Sequence, residues 1–549
     1  MTTKWFAVAS PDDGAQIEAA AAILRRGGLL AIPTETVYGL GADGLNEEAV
    51  LRIFEAKGRP QDNPLILHIP SADWLTRYCA DVPETAYRLA EAFWPGPLTM
   101  ILKKRDIVPL RTTGGLDTVG MRCPDHAVTR AIIEAAGVPV AAPSANTSGR
   151  PSCTTAEHVR ADMDGKIDGI VDGGSCGVGV ESTIVDLTCT PPRLLRPGGL
   201  PLEKLQAVLG EVVLDKAVTQ QLSADEKPRA PGMKYRHYAP KAPVTVVTGT
   251  AAQSARWLST HAPKDAGLIL FDETIPLFPE RVIERIGSCR DKAEQARRVF
   301  DALRAFDDTD VPEIYAQCPD SAGLGLAVGN RLKKAAGFHT VDADDGKLVV
   351  GFTGGTGAGK TTLLRALEKI GAQIIDCDKF YYERLRADRA MRDAINDAFP
   401  GAVNADGTPD REKLGRLVFG DAGKLAELDR IVYRYLPRAI AEEIERCGAD
   451  VVGVDAVKLI ESGAGALCDT TVAVTAPEKT RIARIMARDG ISEERARARV
   501  RAQKSDAEFR AQCAHLFVND AADSAAAEKQ ASDYLNELFK EIKEEHQNA

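Results

Sequence analysis

The stretch GFTGGTGAGKTT, residues 351–362, contains a glycine-rich loop of the kind that binds phosphate groups. From Gly354 it matches G-x-x-x-x-G-K-[ST], with Gly359, Lys360 and Thr361 at the remaining fixed positions. The apolar run KLVVGF before it predicts a buried strand, and TTLLRALEKIG after it predicts a helix. This order predicts a nucleotide-binding α/β domain that begins about two thirds of the way along the chain.

The chemistry of such a loop follows from its backbone. Glycines let N–H groups close around phosphate, and the helix N-terminus adds a partial positive charge. We expect Lys360 to contact the outer phosphates of ATP and the Thr361 hydroxyl to bind Mg²⁺. The predicted ATP-binding set of this loop is Gly355, Gly357, Ala358, Gly359, Lys360, Thr361 and Thr362.

A second apolar run, AQIIDCDKF, predicts a strand that ends in Asp376 and Asp378. Carboxylates at such a strand end can accept the proton of a hydroxyl that is being phosphorylated, or ligate Mg²⁺. The alternative is that an aspartate here caps the following helix.

Length and composition limit the remaining possibilities. The chain has 549 residues, of which 44% are hydrophobic and 27% charged, which is typical of several globular domains. Its net charge of -10 argues against stable nucleic-acid binding. No apolar run approaches the roughly 18 residues of a membrane span, and the first residues lack the apolar core of a signal peptide. We therefore expect a cytoplasmic protein without a membrane partner.

Two breaks in the pattern of apolar runs, a proline-rich stretch at 211–240 and a short acidic stretch at 341–347, divide the chain. They predict four regions: a domain at 1–210, a linker at 211–240, a small α/β domain at 241–341 and the nucleotide-binding domain at 347–549. The linker is polar and rich in proline, and it ends in PGMKYRHYAP. Its aromatic residues indicate either a segment that folds over a site or one that rests on a surface. Strands alternating with helices after the linker predict a parallel sheet.

The first 210 residues contain short apolar runs, each followed by polar residues. The runs predict buried strands, and ligands of α/β sheets bind near strand ends. Cations and hydroxyls at these positions suit a polyanion and a small zwitterion, although each residue alone could be a cap or a turn. The polar residues at these positions are Thr34, Tyr38, Lys57, Arg59, Asn63, His68, Arg122, Ser144, Asn146, Ser182 and Arg196.

Five motifs occur in an order that resembles the threonylcarbamoyl-AMP synthases: PTETVYGLG, KGRPQDNPLILH, PSANTSGRPS, ESTIVD and RPG. PGMKYRHYAP and GLGLAVGNRLKKAAG resemble the linker and the Rossmann-like accessory domain of the long form of that family. The resemblance implies a YrdC-like open α/β sheet. It also implies condensation of L-threonine, bicarbonate and ATP to threonylcarbamoyl-AMP and pyrophosphate. The product would pass to a tRNA-modifying transferase complex.

The resemblance also implies residue roles. Threonine would be bound by Thr34, His68, Arg122 and Ser182, with Arg122 on the carboxylate. Lys57 and Arg59 would be the catalytic cations. ATP would be bound by Lys57, Arg59, Asn63, Thr118, Ser144, Asn146, Ser152 and Arg196, and by Tyr235 and Tyr238 of the linker.

The last 200 residues resemble dephospho-CoA kinase in NADGTPDREKLGRLVFGD, VVGVDAVKLIESGAGALCD, TRIARIMARDGISEERARARVRAQ and FVND. The resemblance implies a P-loop kinase with a parallel sheet and a helical lid. It would transfer the γ-phosphate of ATP to the ribose 3′-hydroxyl of dephospho-CoA. Asp378 would be the base with Asp376 in support, and the lid would carry Arg481, Arg484 and Arg488.

This half departs from the family at several positions. The run RIVYRYLP has Tyr433 and Arg434 where a His-Pro pair is usual. Residues 457–461 are VKLIE where the family usually has Pro-Leu-Leu-Phe-Glu. In the glycine loop, Thr356 and Ala358 occupy positions where Ile and Ser are commoner. A bifunctional enzyme is therefore predicted, with two alternatives for its second half: a kinase for another small hydroxyl acceptor, or a nucleotide-sensing regulatory domain. An RNA-binding first half is disfavoured by the acidic charge.

Overall fold

The computed structural model of the chain describes residues 2–8, 10–220, 226, 228–233, 237–404, 406, 408–418, 420–521 and 523–548. They form two compact units, each with its own core. The first unit comprises residues 1–247, 265–272 and 282–341, and the second comprises 248–264, 273–281 and 342–549. The four predicted domain boundaries stay predictions.

The first sheet of the first unit has eleven strands among the described residues, in the order β1-β8-β2-β3-β7-β4-β6-β5-β9-β10-β11. Its strands are β1 Lys4–Ala7, β2 Leu30–Ile32, β3 Gly39–Asp43, β4 Ile66–His68, β5 Leu98–Lys103, β6 Thr118–Arg122, β7 Val140–Ala141, β8 Gly169–Asp172, β9 Thr183–Asp186, β10 Arg193–Arg196 and β11 Val213–Leu214. Its helices are α1 Gly14–Arg25, α2 Glu47–Lys57, α3 Leu75–Tyr78, α4 Glu84–Phe93, α5 Ala127–Ala136, α6 Ala156–Met163 and α7 Leu202–Leu209.

Helix α2 shows how local sequence positions a site residue. The Asn46 side chain caps it by accepting hydrogen bonds from the N–H groups of Glu48 and Ala49. Gly58 ends it with φ 61°, in the left-handed region that glycine adopts without strain. The helix therefore stops directly after Lys57, whose side chain is buried.

The second sheet has the order β14-β13-β15-β12-β16, and its β12, β13, β14 and β15 pair in parallel. Helix α9 buries a stripe at three- and four-residue spacing that includes Ala296, Val299, Phe300 and Leu303, as its sequence predicts. The elements are β12 Val244–Thr248, α8 Ala251–His261, β13 Gly267–Phe271, β14 Ile283–Gly287, α9 Lys292–Ala305, β15 Ile314–Gln317, α10 Gly325–Ala335 and β16 Thr340–Asp342.

The third sheet is entirely parallel, in the order β18-β19-β17-β20-β21. Its strands are β17 Leu348–Gly354, β18 Gln373–Asp376, β19 Val451–Asp455, β20 Thr470–Thr475 and β21 His515–Val518. The helices are α11 Lys360–Lys369, α12 Cys377–Ala387, α13 Arg389–Ala398, α14 Arg411–Val418, α15 Ala422–Arg446, α16 Glu478–Asp489, α17 Glu493–Arg501, α18 Asp506–Gln512 and α19 Ser524–Asn548. Short 3-10 turns occupy Ala72–Trp74, Lys216–Val218, Ile275–Leu277, Phe306–Asp308 and Ala464–Leu467.

Helix α8 belongs to the second unit although it precedes the P-loop by about a hundred residues. Its Arg256 is buried, with guanidinium nitrogens 3.2 Å from Asp345 and 3.3 Å from Asp469. The Asp469 carboxylate also accepts a hydrogen bond from the N–H of Val349 on β17. One buried cation thus ties α8 to the central strand of the third sheet.

The predicted fold class is confirmed: all three sheets combine with helices, and the P-loop sheet is parallel. The predicted end of the second P-loop strand is wrong by two residues. β18 ends at Asp376, and α12 begins at Cys377, so Asp378 lies in a helix. In the described residues, no helix is both long and apolar enough to cross a membrane.

Candidate active sites

The first unit contains a small cavity of about 50 Å³ between buried polar side chains. It lies at the ends of α2, β4, β6 and β10, and the linker contributes Pro231, Gly232, His237 and Tyr238. The predicted residues that line it are Thr34, Lys57, Arg59, His68, Arg122, Ser144, Asn146, Ser182, Arg196 and Tyr238.

Arg122 is the buried cation at the end of β6. Its Nη2 lies 2.8 Å from Glu35 Oε1 and donates to the Thr36 hydroxyl at 2.7 Å. The loop that carries these partners is fixed by the Thr34 hydroxyl, which donates to the carbonyl of Val37 at 2.6 Å. Arg122 is therefore oriented and partly neutralised, and a ligand carboxylate would share it with Glu35.

His68 and Ser182 complete this end of the cavity. Burial and, to a smaller extent, the nearby Arg122 together lower the pKa of His68 to about 3. The imidazole is therefore neutral at ordinary pH and serves as a polar group, not as a cation. The Ser182 hydroxyl shares a 2.8 Å hydrogen bond with Thr99 and accepts one from Arg196 at 3.2 Å.

Lys57 is enclosed at the other end. Its ammonium donates to the carbonyls of Ser144 and Asn146. Burial lowers its pKa to about 7, and Arg59 acts in the same direction. A phosphate group would reverse this balance, because an anion favours the charged ammonium.

The linker is held in place by residues from two sides. Arg196 donates to the carbonyl of Pro231 at 3.4 Å, and Lys334 of α10 donates to the carbonyls of Gly232 and Met233. Tyr238 has φ 65°, unusual for a residue with a side chain, and its ring packs against Phe300 with centroids 5.1 Å apart. The linker thus forms one wall of the cavity.

Glu181 is a buried carboxylate that the sequence analysis quoted but did not select. Its Oε1 accepts a hydrogen bond from Ser152 at 2.6 Å, and its Oε2 accepts one from Arg331 Nε at 2.7 Å. Burial alone would raise the pKa of Glu181, but Arg331 and Arg196 outweigh it and lower the pKa to about 2. Glu181 is therefore ionised and connects Ser152 to α10.

Not every predicted residue reaches the cavity. Asn63 and Ser152 are buried but do not line it, and Ser152 contributes only through Glu181. Thr118 lies at the first residue of β6, whereas the cavity is at Arg122, its last. Tyr235 lies outside the described residues.

In the second unit, β17 leads into the glycine loop and α11 begins at Lys360. Gly357 has φ 79°, and a Cβ there would lie 2.8 Å from the carbonyl oxygen of Arg481, so the close approach requires glycine. The Lys360 ammonium pairs with Asp455, the last residue of β19. Burial raises the pKa of Asp455, and Lys360 opposes that change.

Asp376 and Asp378 have different surroundings. Asp376 caps α12: its Oδ1 accepts hydrogen bonds at 3.1 Å from the N–H groups of Asp378 and Lys379. This is the alternative that the sequence analysis left open for an aspartate here. Asp378 lies in the first turn of α12 and lines a second cavity, where its carboxylate can meet an acceptor.

Two of the three predicted lid arginines contact the glycine loop. Arg481 donates to the Thr356 carbonyl at 3.1 Å and to Gln503 at 2.8 Å, and Arg484 donates to Asn519 at 3.0 Å and to loop carbonyls at 3.4 Å. Gln503 also donates to the Thr356 hydroxyl at 2.8 Å. Thr356, one of the departures from the family, therefore has a hydrogen-bond partner in the lid. Arg488 is 61% exposed and pairs with Asp489, as a solvated helix face would.

The cavity beside Asp378 has a volume of about 550 Å³. One wall is apolar and comes from α14 and α15, with Leu414, Val418, Leu425, Leu428, Val432 and Leu436. Tyr381 and Tyr382 of α12 and the loop after β19 complete it. The arrangement suits a long acceptor with an apolar portion and a hydroxyl near Asp378.

Asp455, Glu35, Arg331 and Lys334 are site residues that the sequence analysis missed. Asp455, like Asp376, is an aspartate at the end of an apolar run, and the same pattern could have identified it. The two residues are register partners on the adjacent strands β18 and β19. Glu35 is the third residue of the motif PTETVYGLG. Arg331 and Lys334 lie in the motif GLGLAVGNRLKKAAG, but nothing in that motif shows their partners, which are more than a hundred residues away in sequence.

Three family models match consecutive parts of the chain. One described as telomere recombination matches residues 22–198, and one described as threonylcarbamoyl-AMP synthase, C-terminal domain, matches residues 200–337. The third, dephospho-CoA kinase, matches residues 348–525.

Individual proteins match the part of the chain before the P-loop. The threonylcarbamoyl-AMP synthase of Pyrococcus abyssi is 49% identical over 339 residues, which are 59% of this chain and 95% of that protein. The Bacillus subtilis protein of the same name is 44% identical over 62% of this chain and 99% of its own length. The crystal structure of P. abyssi Sua5 complexed with L-threonine is 45% identical, with a TM-score of 0.57, and the match covers 62% of this chain and 98% of that one.

Proposed function

Because the chain belongs to the threonylcarbamoyl-AMP synthase family and continues into a dephospho-CoA kinase domain, we propose that its two cavities are the two active sites of a bifunctional transferase. The first half makes threonylcarbamoyl-AMP from threonine and ATP. The second half phosphorylates dephospho-CoA with ATP. One observation carries the residue assignments. Ten predicted side chains line one cavity of the first unit, and the second unit contains both the P-loop and a cavity lined by Asp378.

In the synthase, Arg122 binds the threonine carboxylate beside Glu35, and neutral His68 and Ser182 contact the rest of the amino acid. Bicarbonate is the additional substrate we propose: its carbon forms a bond with the threonine amine, water leaves, and a carbamate results. A carbamate oxygen attacks the α-phosphorus of ATP, and pyrophosphate leaves. Lys57, Arg59 and Arg196 stabilise the charge that develops on the phosphates.

Closure of the linker protects this chemistry. The carbamate and the mixed anhydride are both labile to water, and Tyr238 and His237 cover the cavity from the linker side. Burial lowers the pKa of His237 to about 3, so it adds no positive charge to the wall. Lys334 and Arg196 hold the linker through its backbone carbonyls, so these contacts do not depend on the identity of the linker side chains.

In the kinase, the Asp378 carboxylate accepts the proton of the ribose 3′-hydroxyl. The ribose 3′-oxygen attacks the γ-phosphorus of ATP, and ADP leaves. Lys360 exchanges its pairing with Asp455 for the outer phosphates. Arg481 and Arg484 approach the same phosphates from the lid. Asp376 supports the site by fixing the first turn of α12, which carries Asp378.

Mg²⁺ is the metal we propose for the kinase half. The Thr361 hydroxyl stands in the first turn after the loop, and oxygen donors are what Mg²⁺ prefers. In the described residues, no three His, Cys, Asp or Glu side chains form a metal cluster, which fits an ion that is held mainly by ATP and water. When bound, it would neutralise charge on the β- and γ-phosphates.

We also propose that the protein works in the cytoplasm and hands threonylcarbamoyl-AMP to a tRNA-modifying transferase complex. The support is chemical: the product is a reactive adenylate that a transferase must consume. The two halves cleave different bonds of ATP, and neither reaction supplies the other.

Mass-resolved product analysis of the full chain tests these assignments. With ATP, Mg²⁺, threonine, bicarbonate and dephospho-CoA, we expect both threonylcarbamoyl-AMP and CoA. Lys360→Ala should remove CoA alone, and Arg122→Met should remove threonylcarbamoyl-AMP alone. Loss of both products in either variant would contradict independent sites. Absence of CoA with the wild type would favour another hydroxyl acceptor or a regulatory role.

A further inference from the structure

The departures from the kinase family at residues 433 and 458 meet at one carboxylate. Lys458 Nζ lies 2.5 Å from Asp429 Oδ2, and burial together with the nearby Asp429 carboxylate raises the pKa of the Tyr433 hydroxyl. Asp429 and Tyr433 are four residues apart on α15 and so lie on one face of that helix. All three line the cavity that contains Asp378.

Lys458 differs in charge from its surroundings. It is the only cation among the described residues that line this cavity, and six of the lining residues from α14 and α15 are leucine or valine. An ammonium in such a place is available to one anionic group of a ligand. An apolar acceptor would gain nothing from it.

The pair with Asp429 can be exchanged easily. The Lys458 side chain is 46% exposed and that of Asp429 is 29% exposed, so water screens their attraction. A phosphate offers the ammonium more charge and more acceptor oxygens than one carboxylate does. Asp429 keeps a polar neighbour after the exchange, because Tyr433 lies one turn further along the same face of α15.

We propose that Lys458 makes the acceptor cavity selective for molecules that carry a phosphate or diphosphate in addition to the hydroxyl that is phosphorylated. In the free enzyme Asp429 holds the lysine, and in the complex the ligand phosphate replaces Asp429. Tyr433 and Asp429 are positioning residues that keep the lysine extended along the cavity wall. This inference rests on the proposed kinase function, since Asp378 defines the reacting end.

Two acceptors with the same reacting group test the proposal. Dephospho-CoA and adenosine both present a ribose 3′-hydroxyl, but only dephospho-CoA carries a diphosphate. For Lys458→Met we expect KM for dephospho-CoA to rise about 10-fold, with kcat unchanged and no change for adenosine. Lys458→Arg should restore KM because it restores the charge. The matched control is Lys369→Met, which removes another lysine that pairs with a carboxylate, outside the cavity.

An equal change for both acceptors, or none for either, would overturn the proposal. Calorimetric binding of each acceptor, with a non-hydrolysable ATP analogue on the loop, separates it from the kinase assignment. If the wild type makes no CoA but binds dephospho-CoA through Lys458, the kinase assignment fails and the lysine proposal stands. If binding does not depend on Lys458, the lysine proposal fails whatever the turnover.

Discussion

Arg331 Nε lies 2.7 Å from Glu181 Oε2, and this buried ion pair joins α10 to the segment that precedes β9. The same carboxylate orients Ser152, and the Arg331 guanidinium carbon lies 5.6 Å from the centroid of the Tyr238 ring. A residue far along the chain therefore completes the wall of the synthase cavity.

Removal of one partner of this pair should destabilise the first unit. Arg331→Met leaves the Glu181 carboxylate buried without its main cation, so we expect a loss of about 3 kcal/mol in the free energy of unfolding. Arg331→Met combined with Glu181→Gln should lose less, because the carboxylate that Arg331 neutralises is removed with it. Denaturant unfolding of the three proteins measures this, and equal losses in the single and double variants would contradict it.

ATP binding to the synthase should take up a proton at pH 8. The pKa of Lys57 is lowered to about 7, so most of this group is neutral at pH 8 in the free enzyme. The phosphates favour its charged form and raise its pKa, so the lysine gains a proton on binding. The affinity should then fall as the pH rises above about 7.

Calorimetry in buffers of different ionisation enthalpy measures that proton. The uptake should be absent in Lys57→Gln. It should persist in Lys334→Gln, although burial lowers the pKa of Lys334 to about 7 as well, because its ammonium faces linker carbonyls. Unchanged uptake in Lys57→Gln would refute the assignment.

The lid arginines should differ in their effect on the kinase. Arg481 contacts the loop and Gln503, so Arg481→Met should lower kcat for CoA formation about 100-fold through lost charge stabilisation. Arg488→Met should change it by less than about 2-fold, because that side chain pairs with Asp489 in solvent. Steady-state kinetics decide, and similar losses in both variants would mean that the lid moves Arg488 onto the loop.

The two aspartates should separate catalysis from stability. Asp378→Asn should lower kcat about 100-fold or more with little change in stability, because it removes a base from an open cavity. Asp376→Ala should lower stability by about 1 kcal/mol, the usual effect of losing a helix cap. Thermal unfolding and kinetics on both variants check this, and a reversal would exchange their roles.

How much the sequence predicts depends on how far apart the partners are. The strand, loop and helix around Lys360 are specified by about twenty consecutive residues, and their prediction is confirmed. The predicted end of β18 is too late because the apolar Cys377 follows Asp376 and suggests that the strand continues, whereas the Asp376 cap starts a helix there. Apolar periodicity does not show which of two nearby aspartates accepts backbone N–H groups.

Long-range partners are the part that the sequence does not predict. Arg331 is a basic residue on an amphipathic helix, which by itself predicts a solvated cation, yet it is fully buried against Glu181. Tyr433 and Lys458 are two separate departures from the family pattern in the sequence, and only the structure shows that Asp429, four residues before Tyr433 on α15, pairs with Lys458. Such pairs are set by packing of distant segments, and no local pattern records them.

The buried Arg256 on α8 also decides where the chain can be divided. A gene split at the acidic segment after residue 341 would encode a kinase fragment without this helix, and Asp345 and Asp469 would lose their cation. A division of the chain before α8 would instead keep this buried cation together with both carboxylates.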